Sequence, residues 1–191
     1  VRRLARDGLE ALGVGVGERD ALDPGAVAAR LHGRDEGRAD VLEIGEPHGE
    51  RFRKLNVRNL GVGDAWDVIS GVDFLIAKGW VDPKRVASMG WSQGGYISAF
   101  LTTSTTVCKA VSVGAGISNW ATYYYNTDIT PFTIQYLGAD PEIDPAIYQK
   151  TSPMSYVKKA RTPTLIQHGE NDRRVPIPNA YELRQGLENR G

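Results

Sequence analysis

One cysteine, Cys108, occurs in 191 residues, so no internal disulfide and no thiolate metal cluster can form. It lies in "TVCKAVSV", where a buried, inert thiol is the simpler reading. There is no excess of either charge sign: 23 basic and 23 acidic residues balance, which removes the electrostatic signature of a nucleic-acid binder or of attraction to an anionic membrane. No apolar run is long enough to span a bilayer. No charged segment followed by an apolar core marks a signal peptide. The chain begins with Val1, so it is expected to lack its native start, and its compartment stays open. Metal-ligand spacing, a phosphate loop and a dinucleotide loop are also missing, so no metal and no cofactor are expected.

Residues 1–47 lack Phe, Trp, Tyr, Lys, Ser, Thr, Asn, Gln, Cys and Met altogether. Without aromatics the segment has little large apolar surface to bury, and no hydrophobic period persists in it. Out-of-frame translation and a natural low-complexity extension both account for such a composition. The segment is treated as separate from residues 48–191.

From "PHGERFRKLNVRNLG" onward the full range of residue types returns. "GDAWDVISGVDFLIAKG" sets Trp66, Ile69, Val72, Phe74, Leu75 and Ile76 at mostly helical spacing and closes on Gly79. "KRVASMGW", "KAVSVGAG" and "TPTLIQHG" read as short buried strands, and "SQGGYISAFLTT" and "IPNAYELRQGLENRG" as helices. The aromatic stretch "SNWATYYYNTDITPFTIQYLG" has no clean period. Strands alternating with helices predict an α/β domain, with a mostly parallel sheet covered by helices on both faces.

"GWSQGGY" sits at the junction between a predicted strand and a predicted helix. Gly90-Trp91-Ser92-Gln93-Gly94 has the Gly-x-Ser-x-Gly order of a nucleophile elbow, in the context that the elbow requires. Gly90 and Gly94 would relieve crowding in the tight turn, Ser92 would be raised for attack, and the Gln93 backbone N–H would face an acyl oxyanion. A plain strand-to-helix turn is the alternative. A serine needs a base oriented by a carboxylate. In this arrangement the chain order is serine, acid, histidine. Asp172, in the turn after "TLIQHG", is the candidate acid, with Glu170 read as solvated; a turn or capping role is the alternative for Asp172.

Residues 48–190 resemble the catalytic domain of the prolyl oligopeptidase family of serine peptidases. The similarity rests on "HGERF", "GDAWDVISGVDFLIAKGWVDPKRVASMGWSQGGY", "AVSVGAGISNW" and "YQKTSPMSYVKKARTPTLIQHGENDRRVPIPNAYEL", in that order. It implies an α/β-hydrolase fold, incomplete at both ends, acting on peptides or acylated peptides, with Ser92 as nucleophile and Asp172 as acid. Trp120, Tyr123 and Tyr124 match the family's aromatic pocket for the residue before the scissile bond; core packing is the alternative. His48 falls where the family often carries an oxyanion-donating tyrosine, although a free surface histidine is the simpler reading. The resemblance also implies a histidine base some thirty residues beyond the acid. The nineteen residues after Asp172 contain none, and His32 and His168 fit neither the place nor the role. The chain is therefore read as a fragment that is inactive by itself. A carboxylesterase and a non-catalytic pseudo-hydrolase are the competing functions.

Overall fold

The computed structural model describes residues 54–191. Residues 1–47 and His48, with the readings attached to them, lie outside the described residues. The frame is a parallel sheet of three strands, β1 (Ala87–Trp91), β2 (Ala110–Gly114) and β3 (Thr164–Gln167), in spatial order β1-β2-β3. Six helices accompany it among the described residues: α1 (Val62–Ala77), α2 (Gln93–Ser104), α3 (Trp120–Asn126), α4 (Thr130–Leu137), α5 (Pro145–Thr151) and α6 (Pro178–Glu188). Two 3₁₀ segments, Lys54–Asn56 and Pro153–Lys159, complete them.

Register sorts the strand residues by face. Ser88 pairs with Val111 and Val111 with Thr164; Gly90 pairs with Val113 and Val113 with Ile166. This face carries α2, whose Ser98 and Thr102 hydroxyls meet those of Ser88 at 3.0 Å and Thr164 at 2.7 Å. Leu183 of α6 and Val72 and Ile76 of α1 pack into the same apolar cluster. Met89, Trp91 and Leu165 lie on the opposite face and are 84%, 63% and 57% exposed. Among the described residues the helices thus cover one face of the sheet, where both faces were expected to be covered.

α1 ends as its sequence predicts. Gly79 takes a φ of 70°, and the N–H of Trp80 returns to the Leu75 carbonyl at 3.1 Å, closing the last turn. The aromatic stretch forms two short helices, α3 and α4, with Pro131 in the first turn of α4. A second core cluster joins Tyr96, Phe100 and Leu101 of α2 to Trp120, Tyr123, Leu137, Ile147 and Tyr148. The Tyr96 hydroxyl donates to the Thr151 carbonyl at 2.7 Å, and burial pushes it well above the usual tyrosine range. Cys108 is buried and free, with burial raising its thiol, as the sequence suggested.

Candidate active site

Parallel strands deliver their carboxyl ends to one edge of the sheet. Trp91, Gly114 and Gln167, the last residues of β1, β2 and β3, are in register. Ser92 follows Trp91, and the turn carrying Asp172 follows Gln167. The two segments therefore leave the same edge with one strand between them, about 10 Å apart at two strand spacings.

Ser92 occupies a strained conformation, φ 56° and ψ −116°, which a residue with a side chain rarely adopts. Two hydrogen bonds hold it there. Its N–H donates to the Gly114 carbonyl at 2.9 Å, extending the ladder past β1, and its carbonyl accepts from Tyr96 at 2.9 Å as the first bond of α2. Its side chain makes no helix cap, and the residue is exposed. The elbow's crowding falls on Gly90 and Gly95. A Cβ on Gly90 would run into the Gly94 backbone, and one on Gly95 into the Gly114 carbonyl. At Gly94 an added Cβ meets nothing within 4 Å, which corrects the expectation that Gly94 itself relieves crowding. Its backbone is the obstacle that keeps Gly90 small.

Gln93 is the first residue of α2, so its N–H belongs to the group at a helix start that has no intrahelical acceptor. Together with the helix dipole, such N–H groups favour an anion beside Ser92. The Gln93 side-chain Nε2 is buried and finds no hydrogen-bond partner.

The acid turn is built by its own backbone. Asp172 Oδ1 accepts from the N–H of Arg174 at 2.8 Å and of Val175 at 3.0 Å, while the Asp172 N–H donates to the Gly169 carbonyl at 3.2 Å. These bonds spend one carboxylate oxygen on the turn and leave the other for a partner. Asp172 is half-buried, and Glu170 is exposed as expected. His168, the one histidine among the described residues, engages the Val175 carbonyl through Nε2 at 2.6 Å.

Helix α3 is tied to this turn at one end and to the start of α6 at the other. At its C-terminus Thr127 Oγ1 donates to the Arg174 carbonyl at 2.8 Å, and the Asp128 N–H donates to the Arg173 carbonyl at 3.1 Å. Arg174 and Asp128 also form an exposed ion pair at 2.8 Å. At the N-terminal end the buried Asn179 side chain accepts from the N–H groups of Ser118 and Asn119. Asn119 then caps α3 through its contact with the Ala121 N–H. A polar concavity of about 580 Å³ lies between residues 126–128 and 170–173.

The three aromatic candidates are not brought together as a wall of that concavity. Trp120 and Tyr123 are fully buried, edge-on to one another at 5.3 Å, and Trp120 is also edge-on to Tyr96 at 5.2 Å. Tyr124 is half-buried between Tyr125 and Tyr148. The links made by His168 and Asn179 were missed from sequence; the one available signal was a polar residue embedded in the apolar run after the acid, "VPIPNA". Among the described residues no cluster of side chains could hold a metal, and no helix is long and apolar enough to cross a membrane.

A parallel sheet, a strained serine between β1 and α2, and a carboxylate turn after a later strand define an α/β-hydrolase domain. The sequence profile of the prolyl oligopeptidase family matches residues 42–191, and the chain belongs to that family. It is 31% identical over 151 residues to the uncharacterized peptidase YuxL of Bacillus subtilis, covering 75% of this chain and 22% of that protein. It is 29% identical over 154 residues to acylamino-acid-releasing enzyme 1 of Oryza sativa subsp. japonica, covering 75% of this chain and 20% of that one. Among solved structures it resembles the acylaminoacyl peptidase of Pyrococcus horikoshii with a TM-score of 0.68 and 29% identity, over 73% of this chain and 23% of that one. The chain spans about a fifth of the length of these curated relatives.

Proposed function

We propose that the protein is a serine peptidase cleaving peptide or acyl-peptide bonds through an acyl-enzyme on Ser92. The observation that carries this reading is the strained, exposed Ser92 at the sheet edge from which the Asp172 turn also emerges. Ser92 Oγ attacks the scissile carbonyl and passes its proton to a histidine base. The Gln93 N–H stabilises the oxyanion, the leaving amine takes the proton from the base, and water later releases the acyl group. Asp172 orients the base through the carboxylate oxygen that the turn leaves over. Family membership and a relative named for releasing acylated amino acids support a peptide or acyl-peptide substrate. Of the three aromatic candidates Tyr124, the least buried, is the one taken to touch it; Tyr124 packs against the core cluster that holds Trp120 and Tyr123.

The base is not assigned within residues 1–191, so the reading makes those residues essentially inactive by themselves. In the full-length gene product, Ser92→Ala lowers kcat on an acylated or proline-containing peptide by about 10³-fold or more, with KM little changed, and Asp172→Asn lowers it by about 10³ to 10⁴. Short acyl esters assayed in parallel decide between a peptidase and a carboxylesterase: turnover of esters alone overturns the peptidase reading. Peptide turnover by Ser92→Ala within about tenfold of the parent overturns the nucleophile assignment.

A further inference from the structure

The mechanism above leaves His168 without a role. His168 directly follows β3 and stands four residues before Asp172, where proximity alone would nominate it as a base. Its contact assigns it otherwise. Nε2 lies 2.6 Å from the Val175 carbonyl oxygen, which can only accept, so Nε2 must carry a proton and donate it. Nε2, donating in this way, has no lone pair with which to take the proton of Ser92, and the one lone pair left on the ring belongs to Nδ1.

Val175 connects this contact to the acid. Its carbonyl is held by His168 and its N–H by Asp172 Oδ1 at 3.0 Å, and the residue is 3% exposed. Residues 170, 171, 173 and 174 between them are exposed, so little apolar packing fixes the turn's path. The turn is anchored on the sheet side, where the Ala115 N–H donates to the Gln167 carbonyl at 2.8 Å, immediately before His168. A continuous route then runs from β3 through the imidazole to Val175 and on to the carboxylate.

We infer that His168 is a positioning residue that fixes Asp172 through Val175, and not the base of the reaction. The inference rests on the peptidase reading for its kinetic consequence, while the hydrogen-bond route itself is independent of that reading. Loss of the imidazole donor leaves a buried carbonyl unpaired and frees the turn. A small displacement of an orienting group costs turnover more than binding.

The test uses the full-length gene product with H168Q, H168L and H168N. A glutamine amide reaches about as far as Nε2 and restores the donor; leucine fills space without one; asparagine stops short of the carbonyl. H168L is expected to lower kcat by about ten- to a hundredfold with KM little changed. H168Q should stay within about fivefold of the parent, because its amide restores the donor. With ¹⁵N-valine labelling, the Val175 amide resonance should move in H168L and stay near its parent position in H168Q. Should H168L not fold, H168N gives the same comparison with a smaller loss.

If H168Q is as inactive as the donor-less variant, His168 acts by proton transfer and the inference is overturned. It is equally overturned if a folded donor-less variant keeps kcat within about twofold of the parent or leaves the Val175 amide unmoved. If instead Ser92→Ala keeps full turnover, the peptidase reading fails, and the Val175 resonance still decides whether His168 holds the acid turn.

Discussion

Asn179 and Ser118 hold each other by two hydrogen bonds across sixty-one residues of chain: the Ser118 N–H donates to Asn179 Oδ1 at 3.1 Å, and the Ser118 hydroxyl donates to the Asn179 carbonyl at 2.7 Å. Both residues are fully buried. The pair locks the first turn of α6, just past the acid turn, to the loop that begins α3. Removing the side-chain acceptor strands two N–H groups, those of Ser118 and Asn119, at a cost of about 1–3 kcal/mol each. Asn179→Leu should therefore destabilise the fold by about 2–6 kcal/mol, read as a lower denaturant midpoint at unchanged slope. Asn179→Asp keeps the acceptor but loses the Nδ2 donor to the Pro176 carbonyl, 3.2 Å away, and buries a carboxylate, so its loss should be comparable at neutral pH and smaller in acid, where the carboxyl is protonated. A loss below about 1 kcal/mol for Asn179→Leu would mean that the Asn179 acceptor is not what holds this junction.

The elbow yields a contrast among three neighbouring glycines. Gly95→Ala and Gly90→Ala each force a Cβ onto backbone atoms that cannot swing aside, so each should cost about 1–3 kcal/mol or more. Gly94→Ala enters open space in the first turn of α2 and should change stability by less than about 1 kcal/mol, with a gain in helix propensity. Thermal melts of the three variants check this. An intolerant Gly94 beside a tolerant Gly95 would contradict the elbow geometry.

These glycines show what was and was not legible in the sequence. The strands were readable because each is a short apolar run in the α/β alternation, and α1 because its apolar spacing ends on Gly79. The serine elbow followed from its place between strand and helix. Which glycine is crowded did not follow, since that depends on β2: Gly114 closes on Gly95 from a neighbouring strand. The aromatic stretch gave no period because one break divides it into helices of seven and eight residues, too short for a pattern to repeat. Trp120, Tyr123 and Tyr124 stand at i, i+3 and i+4 within one such helix, the spacing of a stripe facing a core, and the first two are fully buried. The contacts of His168 and Asn179 depend on side-chain orientation and on a sixty-residue crossing, which no local pattern encodes.

Asp64 gives a pH-dependent prediction. Its carboxylate accepts from the Gly61 N–H at 2.9 Å at the start of α1, but burial outweighs that bond and raises its pKa above the ordinary 3.8. With the folded value above the unfolded one, the folded state binds the proton more tightly. The penalty on stability is full above the folded pKa and fades as pH falls toward 3.8. Asp64→Asn, which can still accept from Gly61, should be more stable than the parent at neutral pH, with the difference closing in acid. Denaturation at several pH values reads this directly; a constant difference across the range would show that the carboxylate's charge is not the cause.

The central claim is that Ser92 is the nucleophile, held by the strand-to-helix elbow beside an acid turn. The most direct test treats the full-length gene product with a fluorophosphonate, which forms a stable covalent bond with an activated serine, and maps the adduct by peptide mass spectrometry. One adduct is expected, on the peptide containing Ser92, abolished by Ser92→Ala and formed about 10³-fold or more slowly in Asp172→Asn. An adduct at another serine, or none in a preparation that still hydrolyses peptides, would contradict it.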